Sequence, residues 1–130
     1  MKTLVVEDDF TSRLLLQEIL QEYGEVHIAV NGKEAVQAVE LAIERGTPYS
    51  LICLDIMMPE MDGQAALQAI RNLEERAAAT KIAPAKILMT SALGDKKSVM
   101  AAFREQCDGY IVKPLDVGKL IETIKSFGLI

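Results

Sequence analysis

The chain has 130 residues, half hydrophobic and a quarter charged, with a formal net charge of -5 and an isoelectric point near 4.9. That is the size and balance of one soluble globular domain with room for a core. It excludes a nonspecific nucleic-acid binder, which needs a basic face, because the densest basic spot is the pair Lys96-Lys97.

The first residues, Met1-Lys2-Thr3, run straight into an apolar stretch with no signal-peptide pattern. No apolar run approaches the about 20 residues that span a bilayer. A cytoplasmic chain with no membrane partner is therefore expected, with Cys53 and Cys107 reduced and serving as small core residues. The two cysteines stand too far apart in sequence to suggest a zinc site.

Residues 2–7 predict the first strand. Leu15, Leu16, Ile19, Leu20 and Tyr23 recur at helical spacing over Thr11 to Tyr23, and Gly24 stops that helix. Glu25 to Val30 alternates, with Val26, Ile28 and Val30 on one face, as an edge strand does. His27 falls on the other face and is expected to meet solvent. Asn31 caps a second helix with Glu34 as its capping-box partner. The core face of that helix is Ala35, Val36, Val39 and Ile43, and Gly46-Thr47-Pro48 ends it.

The third strand spans about 50–55 and is apolar until Asp55. Pro59 to Gly63 reads as a turn, with Asp62 capping a third helix that ends between Arg76 and Ala79. The Ala-rich stretch from Glu74 to Ala85 reads as a helix end plus connector and is expected to be the most mobile segment. A fourth strand follows from Lys86 to Thr90, then a helix capped by Asp95 and running to about Gln106. The fifth strand is Gly109 to Lys113. The last helix is capped by Asp116, with Val117, Leu120, Ile121 and Ile124 inward.

Five strands in strict βα alternation predict an α/β fold: a doubly wound, flavodoxin-like parallel sheet of strand order 2-1-3-4-5. Short strands apolar almost throughout are buried on both faces. The site of such a sheet lies beyond the carboxyl ends of its strands. Asp8, Asp9 and Asp55 therefore converge on one cleft. Three carboxylates so close repel one another unless a hard cation sits among them, which points to Mg²⁺ and to phosphate chemistry. Thr90 and Lys113 end the fourth and fifth strands beside them.

In this order the pieces resemble the receiver domain of two-component response regulators, the family of the chemotaxis response regulator. Val6-Glu7-Asp8-Asp9 follows the first strand, and Leu54-Asp55-Ile56-Met57-Met58-Pro59-Glu60-Met61-Asp62-Gly63 follows the third. Met89-Thr90-Ser91-Ala92 closes the fourth, and Gly109-Tyr110-Ile111-Val112-Lys113-Pro114-Leu115 covers the fifth. Each piece is weak alone; all of them in order, on the right elements, are specific, and they cover the whole chain.

The resemblance implies that Asp55 accepts a phosphoryl group in a Mg²⁺-dependent reaction. It implies that Asp9 and Asp55 hold the ion with the main-chain carbonyl of Met57, while Asp8 acts through water. Lys113 would pair with the acceptor and then with the phosphoryl group, and the Thr90 hydroxyl would bond a phosphoryl oxygen. Thr90 and Tyr110 would form the switch, and Lys113-Pro114 would be a cis peptide. Met57 and Ala92 occupy places that in this family govern hydrolysis, and neither can bond an attacking water, so a long-lived phosphorylated state is expected.

The implied donor is a histidine kinase or a histidine phosphotransfer protein, and the implied output is docking of a downstream protein on the fourth helix, fifth strand and fifth helix. Residues 1–130 would form a single receiver domain without an effector domain, monomeric or weakly dimeric on phosphorylation. Such a chain is a signalling phosphoacceptor, not an enzyme, and catalyses only its own phosphorylation and dephosphorylation.

Taken singly, Asp8 reads as a helix cap, Thr90 as a strand-end hydroxyl, Lys113 as a solvated charge and Tyr110 as strand packing. Two rivals share part of the pattern. An FMN carrier of the same fold needs a hydroxyl- and Gly-rich loop after the first strand, where Glu7-Asp8-Asp9 would repel a bare phosphate. A phosphatase of the haloacid dehalogenase type wants its nucleophile on the first strand with a second Asp two residues later, and Asp8-Asp9-Phe10 does not supply it. A degenerate receiver that only docks would lack a site residue, and none is missing.

Overall fold

The computed structural model describes residues 1–58, 61–92 and 94–130. Its elements are β1 (Thr3–Val6), α1 (Phe10–Leu20), β2 (Val26–Ala29), α2 (Gly32–Glu44), β3 (Leu51–Asp55), α3 (Gly63–Arg76), β4 (Lys86–Ser91), α4 (Lys96–Arg104), β5 (Gly109–Val112) and α5 (Val117–Ser126). The strands form one parallel sheet in the order β2-β1-β3-β4-β5, as the alternation predicts. The register sets Val6 beside Leu54, and Asp55 beside Thr90. Among the described residues no helix is long and apolar enough to cross a membrane. The turn expected from Pro59 to Gly63 lies partly outside the described residues.

Because side chains alternate along a strand, the sheet feeds two cores. Leu4, Val6, Ile52, Leu54, Ile87 and Met89 pack with Ala35 and Val39 of α2, Leu67 and Ile70 of α3, and Ala102 of α4. Val5, Leu51, Cys53, Leu88 and Ile111 pack with Leu16 and Leu20 of α1 and Leu120 and Ile124 of α5. Cys53 and Cys107 are both buried and free, and burial pushes their thiols up to about 12 and about 11.

Each helix begins on a side-chain cap that satisfies an orphan backbone N–H. Asn31 Oδ1 accepts from Glu34 N at 2.8 Å, and Glu34 Oε1 accepts in turn from Val30 N at 3.1 Å. Asp62, Asp95 and Asp116 cap α3, α4 and α5 in the same way. Gly63 opens α3 against the end of β3. A Cβ there would stand 2.3 Å from the Asp55 carbonyl oxygen and 2.6 Å from Ile56 Cα, so only glycine lets the helix come so close.

Several expectations are corrected. α1 begins at Phe10 and ends in a turn of 3-10 helix over Gln21–Tyr23. It rests on the sheet through Leu16 and Leu20, which leaves Leu15 exposed beside Phe10 and Leu14. Val30 lies past the end of β2 and is exposed; Val117, the first residue of α5, precedes its buried stripe and is exposed too. α4 stops at Arg104, and the chain turns at Gln106 with φ of 74°. His27 does meet solvent, as expected, with its side chain 41% exposed, but its ring is also partnered. Its Nδ1 lies 2.7 Å from the Tyr49 hydroxyl, and its Nε2 pairs with the Glu25 carboxylate. The Glu74 to Ala85 stretch is, as expected, a helix end plus connector, with a 3-10 turn over Ala78–Thr80 and Ala85 N donating to Glu74 Oε2 at 2.7 Å.

Candidate functional site

β1 delivers its last backbone bond from Glu7 N to Ala29 O at 3.1 Å, which keeps Glu7 in line with the strand. Its side chain therefore turns into the molecule and is fully buried. Glu7 Oε1 accepts from Lys113 Nζ at 2.6 Å, and Oε2 accepts from Asp9 N at 3.2 Å. Asp55, the last residue of β3, is 4% exposed. Its Oδ2 is 3.4 Å from Lys113 Nζ, and its Oδ1 accepts from Met57 N at 3.4 Å. Lys113 follows β5, and the Lys113-Pro114 peptide is cis as the resemblance implies.

Oxygens of Glu7, Asp8 and Asp55 lie within 4.8 Å of one another, with Asp8 open to solvent. Oxygens on opposite sides of a Mg²⁺ octahedron stand about 4 Å apart, so the donor set and its spacing suit a divalent ion. Electrostatics point the same way. Burial, then the neighbouring Glu7, push the Asp55 carboxyl up to about 7, against the pull of Lys113. For Lys113, burial alone would lower the ammonium; the hydrogen bond to Glu7 and the charge of Asp55 outweigh it, and the net shift is upward. Lys113 is therefore charged, and the cleft remains short of positive charge.

The acidic set differs from the expected one by a residue. Asp9 caps α1: its Oδ2 accepts from Ser12 N at 2.9 Å, which holds the carboxyl below its ordinary value. It lies outside the trio, and Glu7, unassigned from the sequence, takes its place. The missing cap was the available signal. The other four helices each had a capping side chain legible in the sequence, and a helix beginning at Phe10 needs one at Asp9. Asp8 and Asp55 both belong to the trio.

Thr90 is buried at the carboxyl end of β4 beside Asp55, and its carbonyl accepts from Ile56 N at 3.0 Å. Tyr110 on β5 is half-buried against the core shared with α2, α3 and α4. Met57 is 60% exposed at the rim, and Ala92 is exposed as well.

The comparisons bear on the family and the fold. The family model of the response regulator receiver domain matches residues 3–125. Chemotaxis protein CheY of Bacillus subtilis (strain 168) is 32% identical over 125 residues, covering 96% of this chain and 95% of the relative. Transcriptional regulatory protein SrrA of Staphylococcus aureus is 37% identical over 124 residues, covering 95% of this chain; the chain spans 46% of that protein. Among solved structures, the receiver domain of the histidine kinase CKI1 from Arabidopsis thaliana, complexed with Mg²⁺ and BeF3⁻, superimposes with a TM-score of 0.83 at 28% identity, covering 98% of this chain and 89% of that one. A CheX-CheY-BeF3-Mg²⁺ complex from Borrelia burgdorferi gives 0.81 at 28% identity, covering 97% and 87%. With a five-stranded sheet in the order 2-1-3-4-5 and a strand-end acidic cleft facing a lysine, the chain belongs to the response regulator receiver domain family.

Proposed function

We propose that Asp55 accepts a phosphoryl group from a phosphohistidine of a histidine kinase or histidine phosphotransfer protein, with Mg²⁺ as cofactor. The observation that carries this reading is a buried strand-end carboxylate beside two others, with one lysine ammonium 3.4 Å away. In the transfer, an Asp55 carboxylate oxygen forms a bond to phosphorus while the bond from phosphorus to the donor's ring nitrogen breaks, its electron pair staying on nitrogen. A carboxylate is a weak nucleophile, so the protein's contribution is positioning and charge neutralisation.

Asp8, Asp55 and Glu7 would hold the ion, with the main-chain carbonyl of Met57 as a further ligand and Asp9 left to cap α1. When bound, Mg²⁺ supplies positive charge against the carboxylates and the phosphoryl oxygens. Lys113 offers a compact ammonium to a phosphoryl oxygen. The Thr90 hydroxyl stands on the adjacent strand to donate to another. Met57 and Ala92 leave an attacking water without a partner, which favours a long-lived adduct. The chain accelerates only its own phosphorylation and dephosphorylation.

Movement of Thr90 toward the new group would let Tyr110 turn inward and reshape α4, β5 and α5. That face carries Lys96, Lys97 and Arg104 around the exposed Met100 and Phe103, which suits docking of a downstream protein or a weak dimer. As a signalling module the chain would act in the cytoplasm as a single receiver domain.

The test is intact mass after incubation with acetyl phosphate and Mg²⁺, for the native chain and Asp55→Asn. One phosphoryl adduct, absent from the variant and after EDTA, is expected. An adduct that persists in Asp55→Asn overturns the assignment. No adduct from either acetyl phosphate or a phosphorylated histidine phosphotransfer protein overturns the function.

A further inference from the structure

β2 is one edge of the sheet, and half of its backbone points away from it. The Glu25 and Ala29 carbonyls accept from Thr3 N at 2.9 Å and from Glu7 N at 3.1 Å, so these residues, and His27 between them, turn their backbone toward β1. Val26 and Ile28 face the other way, and no strand pairs with them there. Val30, next in that series, has its N–H taken by Glu34 Oε1 at 3.1 Å, so the open stretch ends there. Sheet edges are commonly blunted by Lys, Pro or a bulge. β2 has none of these: it reads Val-His-Ile-Ala in unbroken register with β1.

Beside this edge, α2 leaves the sheet partly uncovered. A cleft of about 330 Å³ lies between them. Leu4 and Ala42 give it a buried apolar floor, and Ala38 and the 45% exposed Leu41 form a wall. Lys2 and Arg45 line it as well. Lys2 Nζ donates to the Thr47 carbonyl at 2.7 Å and sits 4.6 Å from the centre of the Tyr49 ring, which leaves it N–H groups to spare. Neither Lys2 nor Arg45 has an ion-pair partner among the described residues, although the chain carries a net charge of -5. The Glu25 carboxylate is held by His27.

We infer that β2 accepts an added strand: a short extended segment of a partner protein with an apolar and an acidic side chain two residues apart. Side chains so spaced share one face of a strand. Main-chain bonds to Val26 and Ile28 hold the segment. The apolar side chain enters the cleft against Leu41 and Ala38, and the acid meets Lys2 and Arg45. β5 forms the opposite edge of the sheet, so a partner on β2 leaves the face of α4, β5 and α5 free.

The probe is the capped peptide acetyl-Thr-Leu-Val-Asp-Val-Thr-amide, with a version carrying Lys in place of Asp as control. Heteronuclear NMR titration and amide hydrogen exchange on the full chain give the readout. With the acidic peptide, the Val26 and Ile28 amides should gain protection, while His27, whose backbone already faces β1, changes little. The Lys peptide should bind about tenfold more weakly, and that difference should shrink to less than about twofold in the double variant Lys2→Gln with Arg45→Gln. Should the double variant fail to fold, the native chain still decides, because the preference for Asp must fade at high salt. Val26 and Ile28 amides left unprotected at about 1 mM peptide overturn the inference. So do equal binding of the two peptides, a preference indifferent to salt, and a chain that dimerises through β2 without peptide. A normal adduct on Asp55 alongside any of these sinks the added strand alone.

Discussion

The two ends of the sheet handle buried charge in opposite ways. At the amino ends of β4 and β5, Arg71 reaches out from α3 and engages all three of its nitrogens. It donates to Glu74 Oε1 at 2.6 Å, to the Ala85 carbonyl at 2.8 Å, to the Gln106 carbonyl at 2.9 Å and to Asp108 Oδ2 at 2.8 Å. Asp108 Oδ2 also accepts from Ile87 N at 2.8 Å. One guanidinium thus ties a helix, the entrance of β4 and the entrance of β5 together. At the carboxyl ends, Glu7 and Asp55 share the Lys113 ammonium, and the exposed Asp8 stands within 4.8 Å of both. The first end is well paired, its charges answered within the chain. The second is short of a cation and stays receptive. Unequal satisfaction, rather than the mere presence of ionised groups, separates the structural cluster from the functional one.

Removing the well-paired arginine should cost most. Arg71→Ala would strand Glu74 and Asp108 and lower stability by about 3 kcal/mol, read as a shift of the urea midpoint, while Mg²⁺ affinity stays unchanged. A loss of Mg²⁺ affinity would mean that the two ends are not independent. Next comes Gly63→Ala, whose Cβ collides with the backbone of Asp55 and Ile56. Overpacking of this kind costs about 1–3 kcal/mol, and because the strain falls on the acceptor, phosphorylation by acetyl phosphate should slow along with the stability loss.

The receptive end should also reveal itself through pH. The Asp55 carboxyl is raised from 3.8 to about 7 in the folded chain, so the native state keeps a proton that the unfolded chain gives up. Its contribution to stability is present below pH about 4 and is lost as pH rises through about 7. Denaturation midpoints in EDTA should show this fall for the native chain and not for Asp55→Asn, and saturating Mg²⁺ should remove it. A difference between the two proteins that is flat across this range would refute the assignment. The smallest effect belongs to Asn31→Ala, which removes the α2 cap far from either charged end. It should cost about 1 kcal/mol and leave both Mg²⁺ binding and phosphorylation untouched.

The sheet was legible because its strands are short, apolar and regularly spaced, and because βα alternation admits few topologies. Asp55, Thr90 and Lys113 were legible as the residues that end three of those strands. The acidic pair was not, because Glu7-Asp8-Asp9 is a run of three carboxylates and position along it decides everything. A residue in line with the strand points into the protein, the next faces solvent, and the third turns back to cap the helix. The partnership of Glu7 with Lys113 joins residues 106 apart in sequence, and no local pattern encodes it. Leu15 and Val117 were misjudged for a simpler reason. Helical spacing gives a stripe, but how much of the stripe touches the sheet depends on where the helix sits over it.

The alternation of the strands has a consequence for inheritance. Leu88 and Met89 are neighbours along the chain, both with no exposed surface, yet they belong to separate cores. A volume change at Leu88 is felt by α1 and α5, and one at Met89 by α2, α3 and α4. Such changes should therefore add without interacting, although one peptide bond separates them. Compensating substitutions would be found across the sheet's width on the same face, not beside each other in sequence. The two sides can drift in composition at their own pace while the row of polar strand ends between them stays put.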